Sequence, residues 1–240
     1  IKQKGTKEKK YFMKPETFQD IEIPQVFSSR RLAKETMIGL QEGSSTLNEL
    51  EQIKLAKIVQ VLQHQELQTL IDEGKITLGI VKPHANEGKN LPEDDDEAAQ
   101  VLLTEIGDEN IVFTFSTQLT GDQVEKFYGG VKEKYSQITD SQGQTIWDTI
   151  YNFGQSGPLT FILIYREEGN AVEWWRNKMG KTRPNEADPQ SIRGRFALQE
   201  GLPNNLTHGS DSSEAVKKEI GVLRTVVADT LRLSNNNSTK

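Results

Sequence analysis

The chain contains no cysteine and no long apolar run, and each absence excludes a class of protein. Without cysteine it has no disulfide framework and no thiolate chemistry, and a zinc site would need its three histidines, which lie far apart in the sequence. No apolar stretch approaches the roughly 20 residues that a membrane-spanning helix needs. We therefore expect a soluble, cytoplasmic (intracellular) protein with no membrane partner.

Positive charge is scarce relative to negative charge. The formal net charge is −6, from 29 Lys and Arg against 35 Asp and Glu, so the chain has no global attraction to nucleic acid or to anionic lipid. A lysine-rich cluster at the start of the chain is more typical of a solubilising tail than of a binding site. We do not expect nucleic acid as a partner.

The apolar content is low for one compact globule of this size. The apolar fraction is 34% in 240 residues and the mean hydropathy is −0.62, which favours one ordinary domain with polar extensions. We expect the chain to have four parts. These are an extended, basic arm at 1–45, an amphipathic helix with a hinge at 46–74, a main domain at 75–223 and a polar C-terminal tail at 224–240.

The second part is predicted to be one long helix. Thr46 and Glu49 fit a capping box, apolar residues then recur at helical spacing, and Gly74 supplies the stop. The apolar stripe of this helix needs burial. We expect it to pack against the main domain or against its copy in another subunit, since the hinge is short. The alternative is a separate protein partner that docks through residues 1–74.

The main domain alternates between strand-like and helix-like segments. The predicted strands are 76–81, 111–116, 159–165 and a short one near Leu206, and the predicted helices are 97–106, 121–135, 171–179 and 212–220. Two consecutive βαβ-like rounds of this kind fit an α/β protein of the α+β type with a ferredoxin-like sandwich. We expect a four-stranded, mostly antiparallel sheet covered by helices that pack on one side.

A histidine near the end of the main domain is the best candidate for chemistry. His208 is followed by Gly209 and then by hydroxyl and carboxylate residues at a predicted helix start, where an anion can approach imidazole and backbone N–H groups together. Histidines at strand ends are more often hydrogen-bonded structural residues. The sequence around His208 therefore leaves both roles open.

A carboxylate further along the same predicted helix bears on this choice. Glu219 lies about three helical turns after His208. It could orient the imidazole by accepting from one ring nitrogen, which leaves the other nitrogen as a nucleophile. The alternative is that Glu219 simply faces solvent beside its two lysine neighbours.

The residues around this histidine resemble a family signature. Asn205, His208, Gly209, Ser210 and Asp211, followed by Glu219-Ile220-Gly221, are similar to the Asn-x-x-His-Gly-Ser-Asp motif of nucleoside diphosphate kinases, in which the histidine is phosphorylated. The resemblance covers residues 75–223. Further matches in the family's order are Val81-Lys82-Pro83, Phe127-Tyr128, Gln155-Ser156-Gly157-Pro158, Arg176, Gly180, Thr182, Pro184 and 191–196.

The resemblance implies a phosphotransferase with ping-pong kinetics. A nucleoside triphosphate would phosphorylate His208, positioned by Ser210 and Glu219, and a nucleoside diphosphate would then take the group. Cationic and hydroxyl side chains would bind the phosphates, and an amide would bind the ribose. The residues implied at the nucleotide are Lys82, Tyr128, Arg176, Thr182, Arg193 and Asn205. Mg²⁺ would bridge the phosphates with few protein ligands, so no metal site built from side chains is expected. The family also implies a homo-oligomer.

The sequence departs from the family pattern at several points. His84 stands where the family usually has aspartate, and the chain between Tyr128 and Ser156 is longer than usual. Lys181 and Arg195 stand where acidic residues are common. We therefore make no assignment of the residue that stacks on the base.

Two other functions remain open at the level of sequence. The first is a catalytically silent, kinase-like scaffold or assembly module that docks through residues 1–74. The second is a protein histidine phosphotransferase that uses the same His208. A scaffold has no chemical need for a phosphate-binding set such as Lys82, Arg176 and Arg193, and this favours the enzyme.

Overall fold

Residues 49–140, 142–198 and 204–237 are described by the computed structural model, and they contain four strands and nine α-helices. The strands are β1 (Ile76–Val81), β2 (Ile111–Thr117), β3 (Leu159–Tyr165) and β4 (Thr207–Gly209). The helices are α1 (Glu49–Gln63), α2 (Gln65–Asp72), α3 (Asp95–Ile106), α4 (Gly121–Tyr128), α5 (Lys132–Tyr135), α6 (Ile146–Phe153), α7 (Ala171–Met179), α8 (Ile192–Phe196) and α9 (Ser213–Asn237). Short 3-10 turns occupy Ala85–Glu87, Asp108–Asn110, Gly129–Val131 and Pro184–Glu186. The predicted arm at 1–45 lies outside the described residues.

The strands form one antiparallel sheet in the order β2-β3-β1-β4. This is the ferredoxin-like arrangement that the sequence predicts. The two central strands, β1 and β3, are mostly apolar and almost entirely buried because both of their faces are covered. In the pairing of β1 with β4, Ile80 lies opposite His208, which fixes the position of the histidine along the sheet.

Helices cover both faces of the sheet, so the prediction of helices on one side is wrong. On one face, the β3 residues Phe161 and Leu163 pack in a cluster with α1, α2, α4 and α9. On the other face, Ile162 and Ile164 pack with α3 and with Trp175 of α7. The physical reason is that consecutive residues of β3 point to opposite faces, and large apolar side chains stand on both of them.

The predicted long helix at 46–74 is broken into two helices, so that prediction is corrected. His64 has extended backbone angles (φ −69°, ψ 137°), and its Nδ1 accepts a hydrogen bond from the Glu66 backbone N–H at 3.3 Å. The side chain therefore caps a new helix, α2, and ends the old one. Both helices bury their apolar stripes against the main domain, in accordance with the packing expected for this segment. The buried residues are Leu55, Ile58, Val61, Leu62, Leu67 and Ile71.

The predicted polar tail at 224–240 is also corrected. Helix α9 continues to Asn237, and Leu223, Val226 and Val227 lie in the core. These residues recur at helical spacing, and α1 packs against them.

The predicted helix at 121–135 is interrupted as well, because a 3-10 turn at Gly129–Val131 separates α4 from α5. In the part of the chain described here, no helix is both long and apolar enough to cross a membrane.

The buried stripe of α1 predicts a contrast between two substitutions on the same helix. The Leu62 side chain is 0% exposed and that of Ile53 is 43% exposed. Leu62→Ala leaves a cavity in the core and should lower the free energy of unfolding by about 2–5 kcal/mol. Ile53→Ala should change it by less than about 0.5 kcal/mol. Urea unfolding of both variants measures the difference, and equal midpoints would show that α1 is not part of the core.

Candidate active site

The backbone around His208 is fixed by β1 and α7. The Ser210 N–H donates to the Leu78 carbonyl oxygen of β1 at 3.2 Å. On the opposite face of the sheet, the Trp175 indole N–H donates to the His208 carbonyl oxygen at 3.1 Å. The imidazole points to the face that carries α4 and α9, where it lies edge-on to the rings of Phe127 (5.6 Å) and Tyr128 (5.8 Å). The strand, the indole and the two aromatic rings together leave the histidine little freedom.

A buried carboxylate sets the protonation of the His208 ring. Nε2 of His208 lies 3.1 Å from Oε1 of Glu219, and Oε2 of Glu219 accepts from the Ser210 hydroxyl at 2.6 Å. An ionised carboxylate only accepts hydrogen bonds, so Nε2 is the ring nitrogen that carries the proton. The lone pair therefore lies on Nδ1, which is the nucleophilic atom of this tautomer.

Glu219 does not face solvent, so that alternative is overturned. The residue is 8% exposed, and Ser210 is fully buried beside it. The neighbouring Tyr128 is affected by the same carboxylate. Burial, and to a smaller extent the Glu219 carboxylate, raises the pKa of the Tyr128 hydroxyl, so this group remains a protonated hydrogen-bond donor at neutral pH.

The turn before β4 is strained. Leu206 has a φ of 65°, and the Thr207 N–H donates to the Asn205 carbonyl oxygen at 2.8 Å, which is a γ-turn. The Leu206 carbonyl oxygen in turn accepts from the Lys82 N–H at 2.8 Å. A non-glycine residue in this region costs on the order of 1–3 kcal/mol and persists only where its surroundings hold it. Here the strain sits two residues before the candidate nucleophile.

A half-buried lysine lies beside this turn. The Lys82 ammonium donates to Oδ1 of Asn205 at 2.7 Å, and Nδ2 of Asn205 donates to the Thr182 carbonyl oxygen at 2.8 Å. Burial, with a smaller contribution from the positive charge of Arg193, lowers the pKa of Lys82 to about 7. The lysine is therefore poised to lose or keep its proton near neutral pH.

Arg193 is a second cation at this turn, and it is buried. Its guanidinium donates to three backbone carbonyl oxygens, those of Thr207 (2.7 Å), Gly180 (2.9 Å) and Asn205 (3.3 Å). Burial, and then the charge of Arg176, lowers the pKa of Arg193 to about 10. Cations that repel one another in this way are stabilised when an anion binds between them.

The structure brings most of the predicted site residues together. Hydrogen bonds join Glu219 to both His208 and Ser210, and another joins Lys82 to Asn205. Tyr128 contacts the imidazole through its ring. Two predicted residues take part less directly. Thr182 contributes its backbone oxygen, and the exposed Arg176 acts on Arg193 through its charge.

The sequence did not predict that Trp175 would bind the His208 carbonyl oxygen. It also did not predict the contacts of His84. No motif singles out Trp175, although its position beside Arg176 is a weak signal. His84, which replaces the family's aspartate, has a φ of 58°, and its Nε2 donates to the Ser156 oxygen at 2.9 Å. The donor is the histidine because the Ser156 hydroxyl donates to the Phe153 carbonyl oxygen at 2.8 Å. The substitution therefore joins the loop after β1 to the turn before β3.

The donor set of the site bears on metal binding. Across the described ranges, no group of three or more His, Cys, Asp or Glu side chains is placed to hold a metal ion. Glu219 is engaged with His208 and Ser210, and the other charged groups at the centre of the site are cations. The residues present are arranged to receive an anion.

Fold and site together define a ferredoxin-like domain in which a hydrogen-bonded histidine lies near the cations Lys82 and Arg193. The model of the nucleoside diphosphate kinase family matches residues 75–225, which is well over half of the chain. The chain belongs to the nucleoside diphosphate kinase family. The family resemblance stated from the sequence is thereby confirmed.

Individual relatives match over shorter segments. A nucleoside diphosphate kinase of Streptococcus pneumoniae (strain Hungary19A-6) is 42% identical over 86 residues, which are 35% of this chain and 61% of that protein. One of Bacillus anthracis is 45% identical over 90 residues, which are 38% of this chain and 56% of that protein. The chain thus spans less than two thirds of the length of these curated relatives.

Two solved structures of the same family also align with the chain. The Aquifex aeolicus nucleoside diphosphate kinase has a TM-score of 0.46 and 24% identity, and the alignment covers 62% of this chain and 94% of that one. The Encephalitozoon cuniculi nucleoside diphosphate kinase has a TM-score of 0.48 and 19% identity, and the alignment covers 62% of this chain and 87% of that one.

The contact between Gly209 and Trp175 predicts that no side chain is tolerated after the histidine. A Cβ on Gly209 would lie 2.4 Å from Cδ1 of Trp175, whereas a Cβ on Gly221 in α9 meets nothing within 4 Å. Gly209→Ala should lower the free energy of unfolding by about 1–3 kcal/mol through overpacking. Gly221→Ala should raise it by up to about 1 kcal/mol, because alanine favours helix. Thermal unfolding of both variants tests this, and a neutral Gly209→Ala would contradict the described packing.

Proposed function

We propose that the protein is a nucleoside diphosphate kinase that transfers the terminal phosphate of a nucleoside triphosphate to a nucleoside diphosphate through a phosphohistidine on His208. The observation that carries the proposal is the hydrogen bond from Nε2 of His208 to Glu219, which places the lone pair on Nδ1. Membership of the family and the names of the similar proteins support the same reaction.

The first half-reaction is an in-line displacement at the γ-phosphorus. Nδ1 of His208 attacks, a nitrogen–phosphorus bond forms, and the bond between the γ-phosphorus and the bridging oxygen breaks, so that the nucleoside diphosphate leaves with the electron pair. The ring becomes positively charged as it is phosphorylated. The Glu219 carboxylate stabilises that charge through Nε2, and the Ser210 hydroxyl holds the carboxylate in place. The second half-reaction is the reverse, with a new diphosphate as acceptor.

The cations would stabilise the charge that develops on the phosphoryl oxygens. Lys82, Arg193 and Arg176 surround the turn that precedes the nucleophile, and phosphate oxygens among them would relieve their mutual repulsion. Arg193 has a second role, because its bonds to the Thr207 and Asn205 carbonyl oxygens hold the strained turn. The Tyr128 and Thr182 hydroxyls would add neutral donors to the phosphates.

The remaining ligand assignments are predictions of the same proposal. The Asn205 amide would bind the ribose while it stays bonded to Lys82. Mg²⁺ would be held by the phosphate oxygens of the nucleotide and by water, where it neutralises the negative charge of the β- and γ-phosphates. A homo-oligomer and a cytoplasmic location also remain predictions.

The lowered pKa of Lys82 argues against a catalytically silent scaffold. Burial lowers the pKa of Lys82 to about 7, which means that the folded protein accepts an unfavourable charge below that pH. A scaffold gains nothing from such a group. A phosphate-binding enzyme gains a cation whose charge is stabilised when substrate arrives.

The proposed intermediate predicts the result of incubation with ATP. The full chain should gain one acid-labile, alkali-stable phosphate, which GDP then removes, and intact-mass measurement follows both steps. His208→Ala should not be labelled, because it lacks Nδ1. His64→Ala is the matched control, because His64 caps α2 and is not part of the site. Equal labelling of the His208→Ala variant would overturn the assignment.

The lowered pKa of Lys82 predicts how nucleotide affinity depends on pH. As pH rises through about 7, the lysine of the free protein loses its proton and the site loses a positive charge. Binding of ATP should therefore weaken by up to about tenfold for each pH unit above 7, until the pKa of the bound state is reached. Calorimetric titration of ATP at a series of pH values measures this. The Lys82→Met variant gives the pH dependence that belongs to the ligand and to other groups, and profiles that coincide would refute the prediction.

A further inference from the structure

The distance between His208 and Glu219 depends on the seating of one helix. The imidazole belongs to β4 and the carboxylate belongs to α9, so the 3.1 Å hydrogen bond joins two separate elements. A small lateral shift of α9 relative to β4 would break this bond. The contacts that hold the first turns of α9 in place therefore control the tautomer of the histidine.

Helix α2 is fixed to the strand that positions His208. Its last turn is closed by the Gly74 N–H, which donates to the Ile71 carbonyl oxygen at 3.0 Å, and by the Lys75 N–H, which donates to the Leu70 carbonyl oxygen at 2.7 Å. β1 then begins at once with Ile76. Gly74 has a φ of 71°, the left-handed conformation that makes so tight a connection possible. Helix α2 thus has no freedom relative to β1, and β1 pairs with the strand that carries His208.

Helix α2 also contacts the turn of α9 that contains Glu219. The Lys217 ammonium forms an ion pair with Oδ1 of Asp72 at the end of α2, and Gln68 donates to Oδ2 of the same carboxylate at 3.3 Å. The hydrogen bond from Lys217, followed by that from Gln68, lowers the pKa of Asp72. Beneath this ion pair, Leu67 and Ile71 are buried in the cluster that holds the apolar face of α9.

We propose that Asp72 and Lys217 are positioning residues that set the seating of α9 and, through it, the Glu219–His208 hydrogen bond. Strand β1 positions His208 directly, because it pairs with β4. It positions Glu219 indirectly, because it continues from α2, which contacts α9 through this ion pair. This role rests on the proposed function for its effect on the reaction. Its effect on the histidine tautomer is independent of that function. Asp72 lies before residue 75, so the helical segment that precedes the family domain would serve the catalytic histidine.

The test is charge reversal followed by charge exchange in the full chain. Asp72→Lys places two like charges opposite each other, and the rate of His208 phosphorylation in a single turnover should fall roughly threefold to tenfold, with little change in ATP affinity. The ¹⁵N resonances of the His208 ring should move towards the other tautomer, without nucleotide present. The exchange Asp72→Lys with Lys217→Asp restores an opposite pair, and it should restore both the rate and the resonances.

Asp229 supplies the matched control on the same helix. Its ion pair is with Arg232, three residues along α9, so this pair lies within one helix. Asp229→Lys should leave the rate and the His208 resonances unchanged. If Asp72→Lys does not fold, Asp72→Asn should give smaller changes in the same direction.

Two results would overturn the positioning role. The first is an unchanged His208 spectrum in a folded Asp72 variant, and the second is failure of the folded exchange variant to restore the wild-type spectrum. Loss of the proposed function would look different, because wild-type protein would then take no phosphate from ATP while the spectra still report the tautomer.

Discussion

The structure depends on the satisfaction of one buried carboxylate. Glu219 is almost fully enclosed, and an ionised carboxylate in such a place is stable only if its oxygens accept hydrogen bonds. One oxygen accepts from the His208 ring and the other from the Ser210 hydroxyl. Both donors lie at the end of β4, so this strand, the turn after it and α9 must assemble together. The tautomer of His208 that carries its proton on Nε2 is a consequence of that assembly.

Several features near the carboxylate lower the stability of the folded protein. The turn before β4 is strained at Leu206, and the cations Lys82 and Arg193 have lowered pKa values because they are desolvated and lie close to other positive charges. Each of these features is unfavourable by itself. They persist because backbone carbonyl oxygens and the Asn205 amide hold the cations, and an anion among them would offset part of the remaining cost.

The segments outside the family match complete the core of the domain. The match begins at residue 75 and ends at residue 225, whereas α1 and α2 precede it and α9 continues to Asn237. The two extensions pack on each other, with Leu55 and Leu62 on one side and Val226 and Val227 on the other. Because α9 also carries Glu219, the extensions are connected physically to the proposed chemistry.

The sequence by itself determined the strands, the order of the site residues and the family. The apolar strands β1 and β3 and the string from Asn205 to Asp211 are local patterns. Local patterns can be recognised in the sequence without the fold. The tertiary structure decided what depends on distant partners. The stop at His64 depends on how α2 packs, and the helix beyond residue 223 depends on cover from α1. Which nitrogen of His208 carries the proton depends on a carboxylate from another element, so only the folded chain could decide it.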